Sequence, residues 1–286
     1  MTGTTTPLLR VRDLVAGYPK QANFFGGMTV VPAIHEVSFD IGTGETLAIV
    51  GESGSGKSTT GRAILRLLPT VSGAIEFDGV DITKWGARTP LSYRREVQAV
   101  FQDPSASLNP RHLISHTLQL SLQRHGVRDR KERRRRIEEA IEMVGLTRAH
   151  LGRFPNELSG GQQQRVGIAR ALVLNPKLVI CDEAVSALDL STQGQIINLL
   201  ADLQEATGMS YLFIAHDLGL VRHIAHRVGV MNQGHLVELG DTETVFEHPQ
   251  DPYTQRLLRA TPASTPEGRD ERRAERKRAR ALRATA

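Results

Sequence analysis

Eight consecutive residues, Gly51-Glu-Ser-Gly-Ser-Gly-Lys57-Ser58, constrain this chain more than any other stretch. They satisfy G-x-x-x-x-G-K-[ST] in full, directly after the apolar run Thr46–Val50 and directly before a helical pattern, Thr59–Leu68, that Pro69 ends. This strand–loop–helix context is the one the pattern requires. Gly54 and Gly56 let the backbone curl so that successive N–H groups converge on one concavity at a helix N-terminus, a nest for an anion. Lys57 can then reach the β- and γ-phosphates of a nucleotide, and the Ser58 hydroxyl can ligate Mg²⁺. The expected phosphate contacts are Gly51, Ser53, Gly54, Ser55, Gly56, Lys57, Ser58 and Thr59.

A phosphate loop needs a second group to hold the metal. Leu178-Val-Ile-Cys-Asp182-Glu183 is a buried-strand pattern ending in two adjacent carboxylates. Neighbours on a strand point in different directions, so the pair can divide two tasks. Asp182 is placed to bind Mg²⁺, directly or through water, and Glu183 to polarise an attacking water.

The rest of the chain alternates strand and helix patterns. Leu8–Leu14 and Ala33–Ile41 alternate apolar and polar residues as half-buried strands do, with an ordered loop expected over Gly17–Val31 between them. Ala74–Phe77 and the turn at Asp78-Gly79 suggest a small strand pair, and Pro90–Gly152 reads as mostly helical. A helix follows Leu158, and Ile196–Leu203 is helical. Ser210–Ile214 is a strand, Asp217–His226 a helix, and Val228–Met231 with His235–Glu238 a hairpin. With each chemical motif at a strand exit, the expected class is an α/β sheet with its loops gathered at one edge.

Leu158-Ser159-Gly160-Gly161-Gln162, between the phosphate loop and the acidic strand, resembles the signature of ABC-type ATPases. The other marks of that family follow in its order. Gln102 in VFQDP resembles the Q-loop glutamine, Ser186–Asp189 (SALD) the D-loop, and His216 in IAHDL the switch histidine. Tyr18 resembles the aromatic that stacks on adenine. The resemblance runs from about Leu8 to Leu258. It implies a P-loop NTPase core of ABC type with an antiparallel β subdomain and an α-helical subdomain inserted at about 90–165. A basic tail would follow over 259–286.

It also implies ATP and Mg²⁺ as ligands, with Ser58, Gln102 and Asp182 around the metal and Glu183, Gln102 and His216 acting in hydrolysis. Ser159, Gly160, Gly161 and Gln162 would face the γ-phosphate held by a second ATPase subunit, identical or homologous. A finer likeness lies in His248–Leu258, HPQDPYTQRLL, which resembles the Pro-Tyr-Thr segment of ATPase subunits in oligopeptide and dipeptide importers. The FFGG-containing segment, Ser107–Arg111 and CDEAVSALD also resemble that group, especially the second of its two ATPase subunits. Two permease subunits in the membrane and an extracytoplasmic binding protein are then implied partners, with this chain peripheral on the cytoplasmic face. Some relatives carry an iron–sulfur cluster; with Cys181 as the single cysteine, none is expected here. Ala184-Val185 stands where many relatives have Pro-Thr, and no functional conclusion attaches to it.

Charge and composition weigh the alternatives. The chain has 286 residues and a net charge of +5, which invites a nucleic-acid reading. The charge is local, however. Arg128–Arg136 carries seven basic and two acidic residues and Ser264–Ala286 eight and four, so the remainder is net −4. The Arg128–Arg136 run can pair with Glu138 and Glu139 one helical turn on as a solvated face, or meet acidic lipid or a partner. The tail is either a solvated extension or a membrane-surface tether. Neither run interleaves aromatics, so single-strand stacking is disfavoured and no nucleic-acid partner is expected. No apolar run approaches the ~18 residues of a membrane span and no secretory h-region is visible, so a soluble, intracellular chain is expected.

A soluble ABC ATPase acting on nucleic acid or ribosomes is the main alternative, and an importer of nickel or glutathione a nearer one. A nucleotide-dependent interaction module without turnover would need a degenerate site, whereas Lys57, Gln102, Asp182, Glu183 and His216 are all present.

Overall fold

The computed structural model describes residues 6–21, 28–86, 88–103 and 107–260. In chain order, strands β1 (Leu9–Gln21), β2 (Met28–Ile41) and β3 (Thr46–Val50) precede helix α1 (Lys57–Ile64). Strands β4 (Thr70–Phe77) and β5 (Val80–Asp81), helix α2 (Leu91–Glu96) and strand β6 (Val97–Phe101) follow. Helices α3 (Ile114–Arg124), α4 (Arg130–Met143) and α5 (Gly160–Leu172) lead to β7 (Leu178–Asp182). The chain continues with α6 (Leu190–Thr207), β8 (Ser210–Ile214), α7 (Leu218–Ile224), β9 (Arg227–Asn232) and β10 (His235–Asp241). The described residues close on α8 (Thr242–Glu247) and α9 (Pro252–Ala260).

Two sheets result. A four-stranded antiparallel sheet has the order β2-β1-β4-β5, and a six-stranded sheet the order β10-β9-β3-β8-β7-β6. In the second, β9, β3, β8, β7 and β6 run parallel and β10 is antiparallel. The expected mixed α/β architecture, with its antiparallel sheet and inserted helices, is the one observed.

The short apolar runs explain why this sheet sits at the centre. Strands buried on both faces read as continuous apolar runs, and successive side chains go to opposite faces. Leu47 and Ile49, Leu178 and Ile180, and Leu212 and Ile214 join the core facing the antiparallel sheet and α1. Their neighbours Ala48 and Val50, Val179 and Cys181, and Tyr211 and Phe213 join the core under α3–α6. Each strand thus cements two layers. Burial and the adjacent Asp182 push the Cys181 thiol up to about 12, so it stays protonated and inert.

Three boundaries differ from the sequence reading, each for a physical reason. The segment expected as a loop after Gly17 is mostly strand, with Tyr18 opposite Val31 and Lys20 opposite Thr29. Residues 18–21 are exposed, so no apolar alternation marks them. Val97–Phe101, taken as part of a helical stretch, is the edge strand β6, with Val97 opposite Leu178. Val97 and Val100 are three apart, which suits a helix, yet they face the two opposite cores. Finally, α1 ends at Ile64, whose carbonyl accepts the Tyr93 hydroxyl at 2.6 Å, and Arg66 then turns into the left-handed region. The FFGG-containing segment and the Arg-rich stretch from 261 onward lie outside the described residues.

Candidate active site at the sheet edge

The parallel strands end together, and the candidate residues follow those ends. Phe101 pairs with Asp182, and Asp182 with Ile214, while Ile49 pairs with Ile214 on the other side. Gln102, Glu183, His216 and the phosphate loop therefore leave the sheet along one edge, the place where open α/β sheets bind ligands. Gln102 and His216 are exposed there, and Asp182 is buried.

The phosphate loop is clamped from below. Gly56, at φ 105°, leads into α1 and leaves the helix without a side-chain cap. A side chain at Gly56 would strike Ile34 and Met231. The first N–H groups of α1, which have no partner inside the helix, consequently stay open to an anion. At Gly61 the helix lies so close to the sheet that a Cβ would come 2.8 Å from Ile214 Cδ1. Lys57 is buried, and its Nζ donates to Gly51 O and Glu52 O, both at 2.8 Å. Burial draws its ammonium below the ordinary lysine range, while Glu183 and Asp182 pull it back upward. Both carboxylates thus act electrostatically on the group that would meet phosphate.

Ser58 Oγ donates to Asp182 Oδ1 at 2.6 Å. This hydroxyl–carboxylate pair is an all-oxygen donor set of the kind Mg²⁺ accepts alongside phosphate oxygens and water. The described residues contain no group of three His, Cys, Asp or Glu able to hold a metal by themselves. A metal at this pair would need such outside oxygens. Ser55 Oγ supports the same fit, for it is buried with no hydrogen-bond partner, and an unpaired buried hydroxyl is costly unless a ligand completes it.

Glu183 stands at φ 51°, in a region that costs a non-glycine residue roughly 1–2 kcal/mol. Its N–H is tied to Ile214 O at 3.0 Å, and its carbonyl accepts the Ser186 N–H and hydroxyl. The twist turns the chain sharply off β7, so Asp182 and Glu183 diverge at the strand exit. Tyr18 reaches the same neighbourhood from the antiparallel sheet. Its hydroxyl lies 3.3 Å from Thr59 Oγ1 and accepts from Arg62 at 3.3 Å, with the ring partly exposed.

Ser159, Gly160, Gly161 and Gln162 are placed differently. They open α5, which packs against β6, α3, α4 and α6. Ser159 Oγ accepts the Gln162 N–H at 3.3 Å and Gln162 Oε1 the Ser159 N–H at 3.0 Å, a reciprocal cap. Ser159 and Gly160 are exposed. Gly161 faces Thr192 at the start of α6, where Asp189 caps the helix through the Thr192 N–H at 2.9 Å. Hydrogen bonds from Ser191 and Thr192 hold the Asp189 carboxyl well below the usual range.

Sequence reasoning assigned no site role to Tyr253 or Gly234, yet both touch the loop. Tyr253 Oη accepts the Glu52 N–H at 3.1 Å, and the Gly234 N–H donates to Ser55 O at 2.9 Å. The Pro-Tyr-Thr segment was the one available signal, and it carried no hint of this contact.

The chain is similar to known proteins over most of its length. A profile described as "ABC transporter" matches residues 34–186. A second, "Oligopeptide/dipeptide transporter, C-terminal region", matches 237–285. Among curated relatives, the glutathione import ATP-binding protein GsiA of Salmonella choleraesuis is 50% identical over 263 residues, 91% of this chain. Its counterpart in Escherichia coli K12 is 51% identical over 261 residues. The chain spans 42% of the length of these relatives. Among solved structures, cbiO1 of Clostridium perfringens, part of the ABC transporter complex cbiONQ, superposes with a TM-score of 0.74 at 28% identity. That match covers 85% of this chain and 92% of that one. The ATP-binding cassette MJ0796, solved as a dimer in a post-hydrolysis state bound to ADP and Pi, gives 0.68 at 28%, covering 82% and 98%.

Proposed function

This chain belongs to the ABC transporter family, and from that premise we propose that it is the ATP-binding and hydrolysing subunit of a membrane importer for peptides. The carrying observation is the convergence on one sheet edge of Lys57, the Ser58–Asp182 pair and Glu183. The match of residues 237–285 to the oligopeptide/dipeptide C-terminal region supports the cargo class. Glutathione, itself a peptide, is the specific cargo that the names of the curated relatives favour. No helix among the described residues is long and apolar enough to cross a membrane; in this reading the translocation path is supplied by partner permease subunits, fed by an extracytoplasmic binding protein. The chain then sits against the cytoplasmic face.

Each residue has its own task. The open N–H groups of the loop and of α1, with Ser55 Oγ, bind the phosphates, and Lys57 leaves the Gly51 and Glu52 carbonyls to meet the β- and γ-phosphates. Ser58, Asp182 and Gln102 would hold Mg²⁺, which when bound neutralises charge on the β- and γ-phosphate oxygens. Glu183 orients and deprotonates the attacking water, and His216 contacts the γ-phosphate. Tyr18 stacks on the adenine. Ser159, Gly160, Gly161 and Gln162 present a helix N-terminus to the γ-phosphate held by a second ATPase chain, and that chain returns the contact. Phosphoryl transfer of this kind is mainly positioning and electrostatics. The cassette spans about 8–258, and the helices inserted within about 90–165 relay its closure to the permease.

Replacing Glu183 by Gln tests this directly. ATP affinity should stay within about threefold while hydrolysis falls at least about a hundredfold, a typical loss for one acid–base group. Normal hydrolysis by Glu183→Gln would exclude Glu183 as the group that activates the water.

A further inference from the structure

Tyr253 lies far from the phosphate loop in sequence, yet its hydroxyl oxygen accepts the backbone N–H of Glu52 at 3.1 Å. That N–H belongs to the same peptide unit as the Gly51 carbonyl, which accepts Lys57 Nζ at 2.8 Å. A trans peptide is planar, with its N–H and C=O pointing in opposite directions. Tyr253 and Lys57 therefore hold the two edges of one rigid plate, and a rotation of that plate breaks both bonds.

The tyrosine is itself firmly held. It is buried, and the Asp251 carboxylate accepts the N–H groups of Tyr253 at 2.7 Å and Thr254 at 3.3 Å. The Glu238 carboxylate, on β10, accepts those of Gln250 at 2.8 Å and Asp251 at 3.1 Å. A continuous series of hydrogen bonds thus runs from the sheet edge through the start of α9 to the phosphate loop. The loop's other flank is tied to the β9–β10 turn by the Gly234 N–H.

We propose that Tyr253 is a positioning residue of the phosphate loop: it fixes the Gly51–Glu52 peptide and so sets where Lys57 is held before nucleotide arrives. The proposal rests on the reading that this loop binds ATP. Without the hydroxyl, the Glu52 N–H loses its acceptor and the plate is free to turn. The nucleotide must then order the loop as it binds, which lowers affinity. Tyr253 contacts neither the water nor the γ-phosphate in this scheme, so the bond-breaking step is left alone.

The test is Tyr253→Phe in the full chain, which keeps the ring in place and removes only the hydroxyl. In the nucleotide-free protein, amide hydrogen exchange of the peptide spanning Gly51–Ser53 should speed up several-fold. The Kd and KM for ATP should rise about two- to tenfold, the range of one ordinary hydrogen bond, with kcat within twofold. Glu238→Gln, which loosens the anchor without touching the tyrosine, should move exchange and affinity in the same direction by less. Unchanged exchange, unchanged affinity, or a loss confined to kcat in Tyr253→Phe overturns the role. An unmodified chain that binds no ATP defeats the nucleotide reading itself. An unmodified chain that binds ATP normally, matched by Tyr253→Phe, defeats only the part assigned to Tyr253.

Discussion

Two helix N-termini in this molecule carry the pattern of an anion site, and they are built in opposite ways. The start of α1 is clamped between sheets, with Ser55, Lys57 and Thr59 buried, a buried hydroxyl left without a partner and no side chain capping the helix. The start of α5 is exposed and its cap is already closed, Ser159 and Gln162 satisfying each other. Open, buried donors describe a site that holds its ligand by itself. An exposed helix end with self-contained capping describes a surface that needs something brought to it. The difference fits the site proposed above, in which the binding half lies in one chain and the closing half comes from another.

The harshest test of the first half is Lys57→Ala. It removes the cation held at the loop's carbonyls, and hydrolysis should fall by about 10²–10³ or more, with ATP binding lost alongside. Ser159→Arg should break the comparison at its other pole. A long cation at the exposed turn should block approach of a second chain and lower hydrolysis about a hundredfold, while a fluorescent ATP analogue still binds the isolated chain as before. Loss of ATP binding in Ser159→Arg would merge the two halves into one. Gly61→Ala then asks how tightly the first helix is clamped. The added methyl would meet Ile214 and Ile180, so a destabilisation of about 1–3 kcal/mol is expected in urea unfolding. The smallest effect belongs to the Arg-rich helix α4. Arg135→Ala should shift the melting temperature by no more than about 2 °C, and less at high salt, because exposed ion pairs contribute little.

That helix also settles part of what the charge suggested. Arg134 pairs with Glu138, Arg135 with both Glu132 and Glu139, and Arg136 with Glu132, and Arg148 adds bonds to Glu138 and Glu142. Hydrogen bonds from Arg135 and Arg136 hold the Glu132 carboxyl down to about 2. Much of the positive run is therefore answered within its own surface.

What the sequence made legible was whatever is contiguous. The octet, the acidic strand end and the short apolar runs each declare themselves within ten residues, and together they give the sheet and the edge where chemistry gathers. The arms of the β1–β2 hairpin were hidden because they are exposed and lack alternation. The edge strand β6 was hidden because Val97 and Val100 keep a helical spacing while serving two cores. The Tyr253–Glu52 and Gly234–Ser55 bonds join residues far apart in the chain, and no local pattern encodes them. The turn at Glu183, at φ 51°, could not be foreseen either, since a glutamate gives no warning of a left-handed backbone.

The division of the site between two chains is tested most directly by following ATP binding and hydrolysis by the purified full chain over a wide range of protein concentration. Binding per chain should remain constant on dilution while hydrolysis per chain falls toward zero, because in the proposed site closure takes a second chain. Hydrolysis per chain that stays undiminished at the lowest concentrations would show a complete site within one chain and contradict this division.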